Sequence, residues 1–170
     1  DFDIQNIQTR FPWKAKRWTL DKQWPPKGKE IIFYFEAPEQ SLQGIKVAVH
    51  YQLYDNIPLM SKWVNIENNS GKTITVNSFK NEILSMVEEE SVVGGDGRLA
   101  NPHINIQSDY SFGDMTSKYA DHTTYWLPDS LYTSQVNYNL RTPCLLESKP
   151  PIGPAVRLQP QKKFEPCHTY

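Results

Sequence analysis

The sequence is poor in cysteine, with only Cys144 and Cys167 in 170 residues, and nearly free of net charge, with 18 Lys and Arg against 19 Asp and Glu. Two cysteines do not make a zinc site of the usual kind, which takes four Cys or His ligands in short paired spacings. They allow one disulfide if their segments pair, or two thiols buried as plain hydrophobes. A formal charge of -1 provides no concentrated basic surface, so neither nucleic acid nor an anionic membrane is an expected partner. No apolar run reaches the roughly 20 residues of a membrane-spanning helix. The chain starts at Asp1 without a signal-peptide pattern, so any leader has been removed or never existed, and secretion stays open. Gly94-Gly95-Asp96-Gly97 is a flexible turn and not a phosphate loop, because neither Lys-Ser/Thr nor a helix start follows it.

Proline and aromatics are abundant instead: 13 Pro, five Trp and nine Tyr. Aromatic side chains favour pleated, half-buried surfaces, so this mixture fits a loop-rich β domain better than a helical one. The length fits one domain. In Ile45–Leu53, Ile45, Val47, Val49, Tyr51 and Leu53 alternate with Lys46, Ala48, His50 and Gln52, the period of a strand with one buried face. Asp55-Asn56 and Pro58 interrupt it, Met60, Val64 and Ile66 resume it, Asn68-Asn69-Ser70-Gly71 turns it, and Ile74 and Val76 begin a third strand. Glu30–Glu36 precedes them, apolar on both faces and therefore expected to be central. A turn every ~8–12 residues points to a sandwich or barrel.

Elsewhere the pattern is weaker. Asp1 to Gly28 has no clean period; Phe11-Pro12-Trp13, Trp18, Trp24-Pro25-Pro26 and scattered basic residues predict an irregular arm lying across a sheet. Asn81 to Val93 allows helical spacing but reads as a strand running into solvated Glu88-Glu89-Glu90. Ala100 to Ala120 is a long polar excursion. Further strands are expected at Tyr132–Arg141 and Cys144–Glu147, then a rigid turn at Pro150–Pro154, and Val156–Leu158 leading to a last strand from Lys163. That strand stops at Tyr170 without a polar tail, so the chain reads as a piece of a longer one.

The stretch VAVHYQLYDNIPLMSKWVNIENNSGKTITVNSFKNEIL resembles the amino-terminal β-supersandwich, or galactose mutarotase-like, domain of glycoside hydrolases of the family-36 α-galactosidase type. The matching positions are Val49, Tyr51, Leu53, Tyr54, Pro58, Lys62, Trp63, Asn68 and Ser70. The tail PPIGPAVRLQPQKKFEPCHTY is similar to the segment that leads from that domain into the catalytic barrel. The resemblance covers roughly residues 30–90 and 130–170, and its motifs are structural. It implies a bacterial source, a periplasmic or extracellular location, a catalytic barrel of the same chain as partner, an oligo- or polysaccharide as ligand, and an oligomer interface. The family's catalytic aspartates lie in the barrel and have no counterpart here. Galactose mutarotases use a histidine and a glutamate on a related fold, but no motif sets His50, His103, His122 or His168 beside a particular Glu.

Sugar recognition uses flat aromatic faces with a few fixed polar groups. Tyr125-Trp126, with Asp121 and His122 before it and Asp129 after it, is the best such cluster, expected in a loop. Trp126 as a cap on the core is the plainer reading. Trp13, Trp18 and Trp24 are a second candidate platform, or anchors of the arm. Trp63 is a core or interdomain residue. Glu88, Glu89 and Glu90 are adjacent and cannot by themselves flank a glycosidic bond. Asp109, Asp114 and Asp121 match no calcium loop. Asn68-Asn69-Ser70 fits the N-glycosylation sequon, and in a bacterial protein is just a turn.

The expected fold is an all-β, two-sheet antiparallel β-sandwich formed as one domain over residues 1–170, with residues 1–28 as the arm. The expected role is a non-catalytic domain of a carbohydrate-active hydrolase, with no cofactor and no metal. A free-standing carbohydrate-binding module is the rival.

Overall fold

The computed structural model describes residues 1–9, 25–86, 104–110, 122–133, 140 and 145–170. The described residues form β1 (Phe2–Asn6), β2 (Gly28–Glu36), β3 (Ile45–Tyr54), β4 (Met60–Asn68), β5 (Ile74–Val76), β6 (Glu82–Ser85), β7 (Thr124–Leu127), β8 (Leu145–Ser148), β9 (Val156–Leu158) and β10 (Lys162–Phe164). They pair antiparallel in sheets ordered β1-β2-β3-β4-β10, β5-β9 and β6-β8-β7. No α-helix occurs among the described residues, and the all-β sandwich class that the two-residue period predicts is the one observed. The chain divides into two compact units: Asp1–Val76 with Val156–His168 and Tyr170, and Asn77–Ala155 with Thr169.

In the first unit, β3 and β4 form the long central pair, from Ile45↔Asn68 to Leu53↔Met60. Asn56 sits at φ 59 in the turn between them, a conformation that Asn tolerates because its short amide bonds locally. Position 28, the first of β2, takes only glycine, because a Cβ there would collide with the Leu53 carbonyl oxygen. Asn68 closes the far end. It is fully buried, its Nδ2 donates to the carbonyls of Lys72 (2.7 Å) and Leu158 (2.8 Å), and its Oδ1 accepts from the Ser70 backbone N–H and hydroxyl. The sequon asparagine therefore joins the β4–β5 turn to β9 and presents no amide for modification.

The sheet differs from the sequence reading in four places. Residues 2–6 are not part of an irregular arm but an edge strand in register with β2, from Phe2↔Phe33 to Asn6↔Lys29. β2 does lie inside the sheet, yet Phe33, Tyr34 and Phe35 at its end are exposed. The burial of β3 also runs against its hydropathy: Gln52 is 6% exposed and Leu53 51%. The physical reason is that Gln52 is held between Glu30 and Tyr54 by hydrogen bonds and its neighbour His50 is covered by the Trp63 ring, so the polar face of the strand is enclosed. The last strand is shorter than expected and ends at Phe164, paired with Ile66.

In the second unit β8 is the middle strand, with Leu146, Glu147 and Ser148 all buried. Glu147 carries the ammonium groups of Lys80 and, at 2.9 Å, Lys149, and these bonds hold its carboxyl below the ordinary range against the opposing effect of burial. Ser148 Oγ and Thr169 Oγ1 bond at 2.7 Å, and Thr169 bridges to Ser108.

Candidate functional site

The site grows out of strand register in the first unit. Glu30 pairs with Gln52 and Gln52 with Ser61; one pleat on, Ile32 pairs with His50 and His50 with Trp63. Successive side chains alternate faces, so Glu30, Ile32, His50, Gln52, Tyr54, Ser61, Trp63 and Asn65 all lie on one face of the sheet.

Hydrogen bonds run across that face without a break. Glu30 accepts from Gln5 Nε2 at 2.7 Å on Oε2, and from His50 Nδ1 at 3.0 Å and Gln52 Nε2 at 3.5 Å on Oε1. Tyr54 OH lies 3.0 Å from Gln52 Oε1 and 2.9 Å from Ser61 Oγ. On the other side of the imidazole, Asn65 Nδ2 is 2.9 Å from His50 Nε2. Burial pushes the pKa of His50 below its ordinary value, although the Glu30 carboxylate pulls the other way. The ring is thus neutral near pH 7, donating from Nδ1 to Glu30 and accepting at Nε2 from Asn65.

Trp63, 2% exposed, lies between two imidazoles: His50 at 4.6 Å and 8°, His168 at 4.4 Å and 18°. His168 follows β10, with Glu165 Oε1 3.5 Å from its Nε2. Beside this stack opens a cleft of about 180 Å³ lined by Ile7, Gln8, Pro25, Gln52, Tyr54, Leu59, Ser61, Trp63, His168 and Tyr170. It is smaller than the roughly 300–1,000 Å³ of drug-sized pockets. Its polar groups are amides, hydroxyls and an imidazole, with apolar walls from Ile7, Leu59 and the rings. Among the described residues no Asp or Glu side chain lines it, and no cluster of three His, Cys, Asp or Glu suited to a metal occurs.

The aromatic pair expected in a loop lies instead in β7. Tyr125 pairs with Glu147 and Trp126 with Leu146, so the two rings leave opposite faces and do not form one platform. Tyr125 OH donates to the carbonyl of His122 at 2.9 Å, Lys149 Nζ sits 4.9 Å above the Tyr125 ring, and Asp129 caps the Leu131 N–H. Asp121, Trp13, Trp18 and Trp24 lie outside the described residues, as do Glu88–Glu90, Asp114, His103 and Cys144, and with Cys144 its pairing to Cys167. Trp63 is enclosed by rings of its own unit. Sequence reasoning did not bring Glu30, His50, Gln52, Asn65 and His168 together; the first four are polar residues inside strands whose convergence depends on register, and His168 lies beyond β10 with no pattern of its own.

Compared with family models, curated proteins and solved structures, the chain shows no match.

Proposed function

We propose that this chain is a non-catalytic, sugar-recognising β domain of a longer glycoside hydrolase, holding one neutral sugar ring in the cleft of its first unit and supporting a catalytic barrel. The observation that carries the reading is the lining of the cleft: Gln52, Tyr54 and His168 for hydroxyls, Tyr170 and Leu59 for the apolar face of a ring. Trp63 is not the stacking platform, because imidazoles occupy both its faces.

Chemistry at the cleft finds little support. Glycoside hydrolysis needs two opposed carboxylates, and Glu30 is 5% exposed with three donors already bound to it. A mutarotase-type reaction needs a His and a Glu on one pocket; His168 lines this one, but neither Glu30 nor Glu165 does. The supporting role draws on the opposite face of the sheet, where Phe2, Ile4, Phe33, Phe35, Leu53 and Met60 are exposed. At ~200 Å² per large side chain these amount to roughly 600 Å² of apolar surface, at the upper end for a monomer and suited to a neighbouring domain.

The test is titration of neutral monosaccharides into the 170-residue chain by NMR, with hydrolysis of nitrophenyl glycosides measured in parallel. Binding that weakens about 3–10-fold in Tyr54→Phe and more in Gln52→Ala, one lost hydrogen bond being worth ~1 kcal/mol, with no turnover, is expected. Turnover abolished by one carboxylate substitution, or binding lost in Trp126→Ala but kept in Gln52→Ala, overturns it.

A further inference from the structure

The two edges of the large sheet are unlike. β10 is three residues long and carries Lys162 and Lys163, the usual protection of a sheet edge against further pairing. β1, Phe2-Asp3-Ile4-Gln5-Asn6, has no lysine, proline or bulge, and all five of its residues are exposed. Phe2 and Ile4 are each 61% exposed.

The direction of its backbone groups follows from the flanking bonds. The Tyr34 N–H donates to the Asp1 carbonyl at 2.9 Å and the Ile7 N–H to the Gly28 carbonyl at 3.1 Å. Residues Asp1, Asp3, Gln5 and Ile7 therefore turn their N–H and C=O toward β2, and Phe2, Ile4 and Asn6 turn theirs away from the sheet. Of these outward groups, the Asn6 carbonyl accepts from the exposed Gln8 amide at 2.9 Å, a bond that solvent or a better donor can replace.

We propose that β1 pairs antiparallel with β1 of a second copy of this chain, across a twofold axis at Ile4, to make one continuous sheet. The strand is complementary to itself in that register. Ile4 meets Ile4, each N–H facing the other's carbonyl, and Phe2 meets Asn6 in the same hydrogen-bonded fashion. Asp3 meets Gln5, so no carboxylate faces another. Gln5 uses one amide hydrogen on Glu30 and Asp3 uses Oδ2 for the Tyr34 hydroxyl, leaving the second amide hydrogen and Oδ1 for each other. The register preserves the pleat: Phe2 and Ile4 of one copy continue the apolar face of the other, extending the Phe2–Phe33–Tyr51 row of rings. A shift by one residue would place Asp3 opposite Ile4 across the axis and break that continuity.

Sedimentation velocity on the 170-residue chain, from micromolar to about 1 mM because edge pairing buries little area, tests this. A reversible monomer–dimer equilibrium is expected. Ile4→Pro removes an N–H that β2 does not use, so the far-UV circular dichroism should stay and the dimer should dissociate. Ile4→Cys should crosslink with itself under an added oxidant more than the parent chain does, since the Cα atoms of a hydrogen-bonded pair are ~5.5 Å apart, within disulfide reach. A chain monomeric at every concentration, a dimer unaffected by Ile4→Pro, or Ile4→Cys crosslinking no better than the parent overturns the proposal. Should Ile4→Pro unfold the protein, the crosslinking result decides.

Discussion

Asn68 shows how much one side chain can hold. Its amide joins a turn, a strand end and a segment 90 residues away, with both hydrogens and the oxygen engaged and no solvent contact. Asn68→Ala strands the Leu158 carbonyl and the Ser70 N–H, and buried unpaired groups of this kind cost ~1–3 kcal/mol each. A loss of about 2–4 kcal/mol in urea-monitored stability is expected. Asn68→Asp should be worse than alanine, because a carboxylate cannot donate to either carbonyl and places charge against both. Equal or smaller loss in the aspartate variant would show that the two donated bonds contribute little. In the sequence this residue is visible as a turn former and a sequon, and nothing in either pattern reports the bond to Leu158, whose distance along the chain is closed by the β5–β9 and β4–β10 pairings.

The strands themselves were legible because burial and pleat impose a period of two, and β2, β3, β4 and β8 fall where that period places them. β1 has the same alternation in Phe2-Asp3-Ile4-Gln5, but the Pro, Trp and basic run that follows obscures it. The site was not legible, for a related reason. Hydropathy assigns the polar positions of β3 to solvent, yet on this sheet Glu30, His50, Gln52 and Asn65 enclose one another. A titration of the whole element distinguishes the two pictures. With its folded pKa lowered, His50 is protonated more readily in the unfolded chain, so stability should be full above the ordinary histidine value near 6.5 and should fall as the pH drops below it toward the folded pKa. NMR should place the imidazole midpoint below that ordinary value. Glu30→Gln should move it lower still, because the carboxylate is what partly offsets burial. A midpoint at or above the ordinary histidine value would mean that the Glu30 carboxylate offsets burial in full.

At the scale of the molecule, the second unit is an excursion of the chain between β5 and β9, and these two strands pair directly, Val76 with Val156 at the point of departure. Everything that makes the cleft and the polar network belongs to the first unit, as do the buried Ile32, Trp63, Val64, Val76 and Leu158. Replacing residues 78–154 by a short Gly-Ser turn converts β5–β9 into a hairpin and shortens the loop it must close, which lowers the closure cost by roughly 2–3 kcal/mol. The excised chain should retain a β-type circular dichroism spectrum, unfold cooperatively in urea, and keep the depressed titration of His50. A chain that loses cooperativity would show instead that the first unit depends on the second for its stability. The outcome also bears on function: sugar binding that survives excision places recognition in the first unit alone, and separates it from Tyr125 and Trp126, which the excision removes.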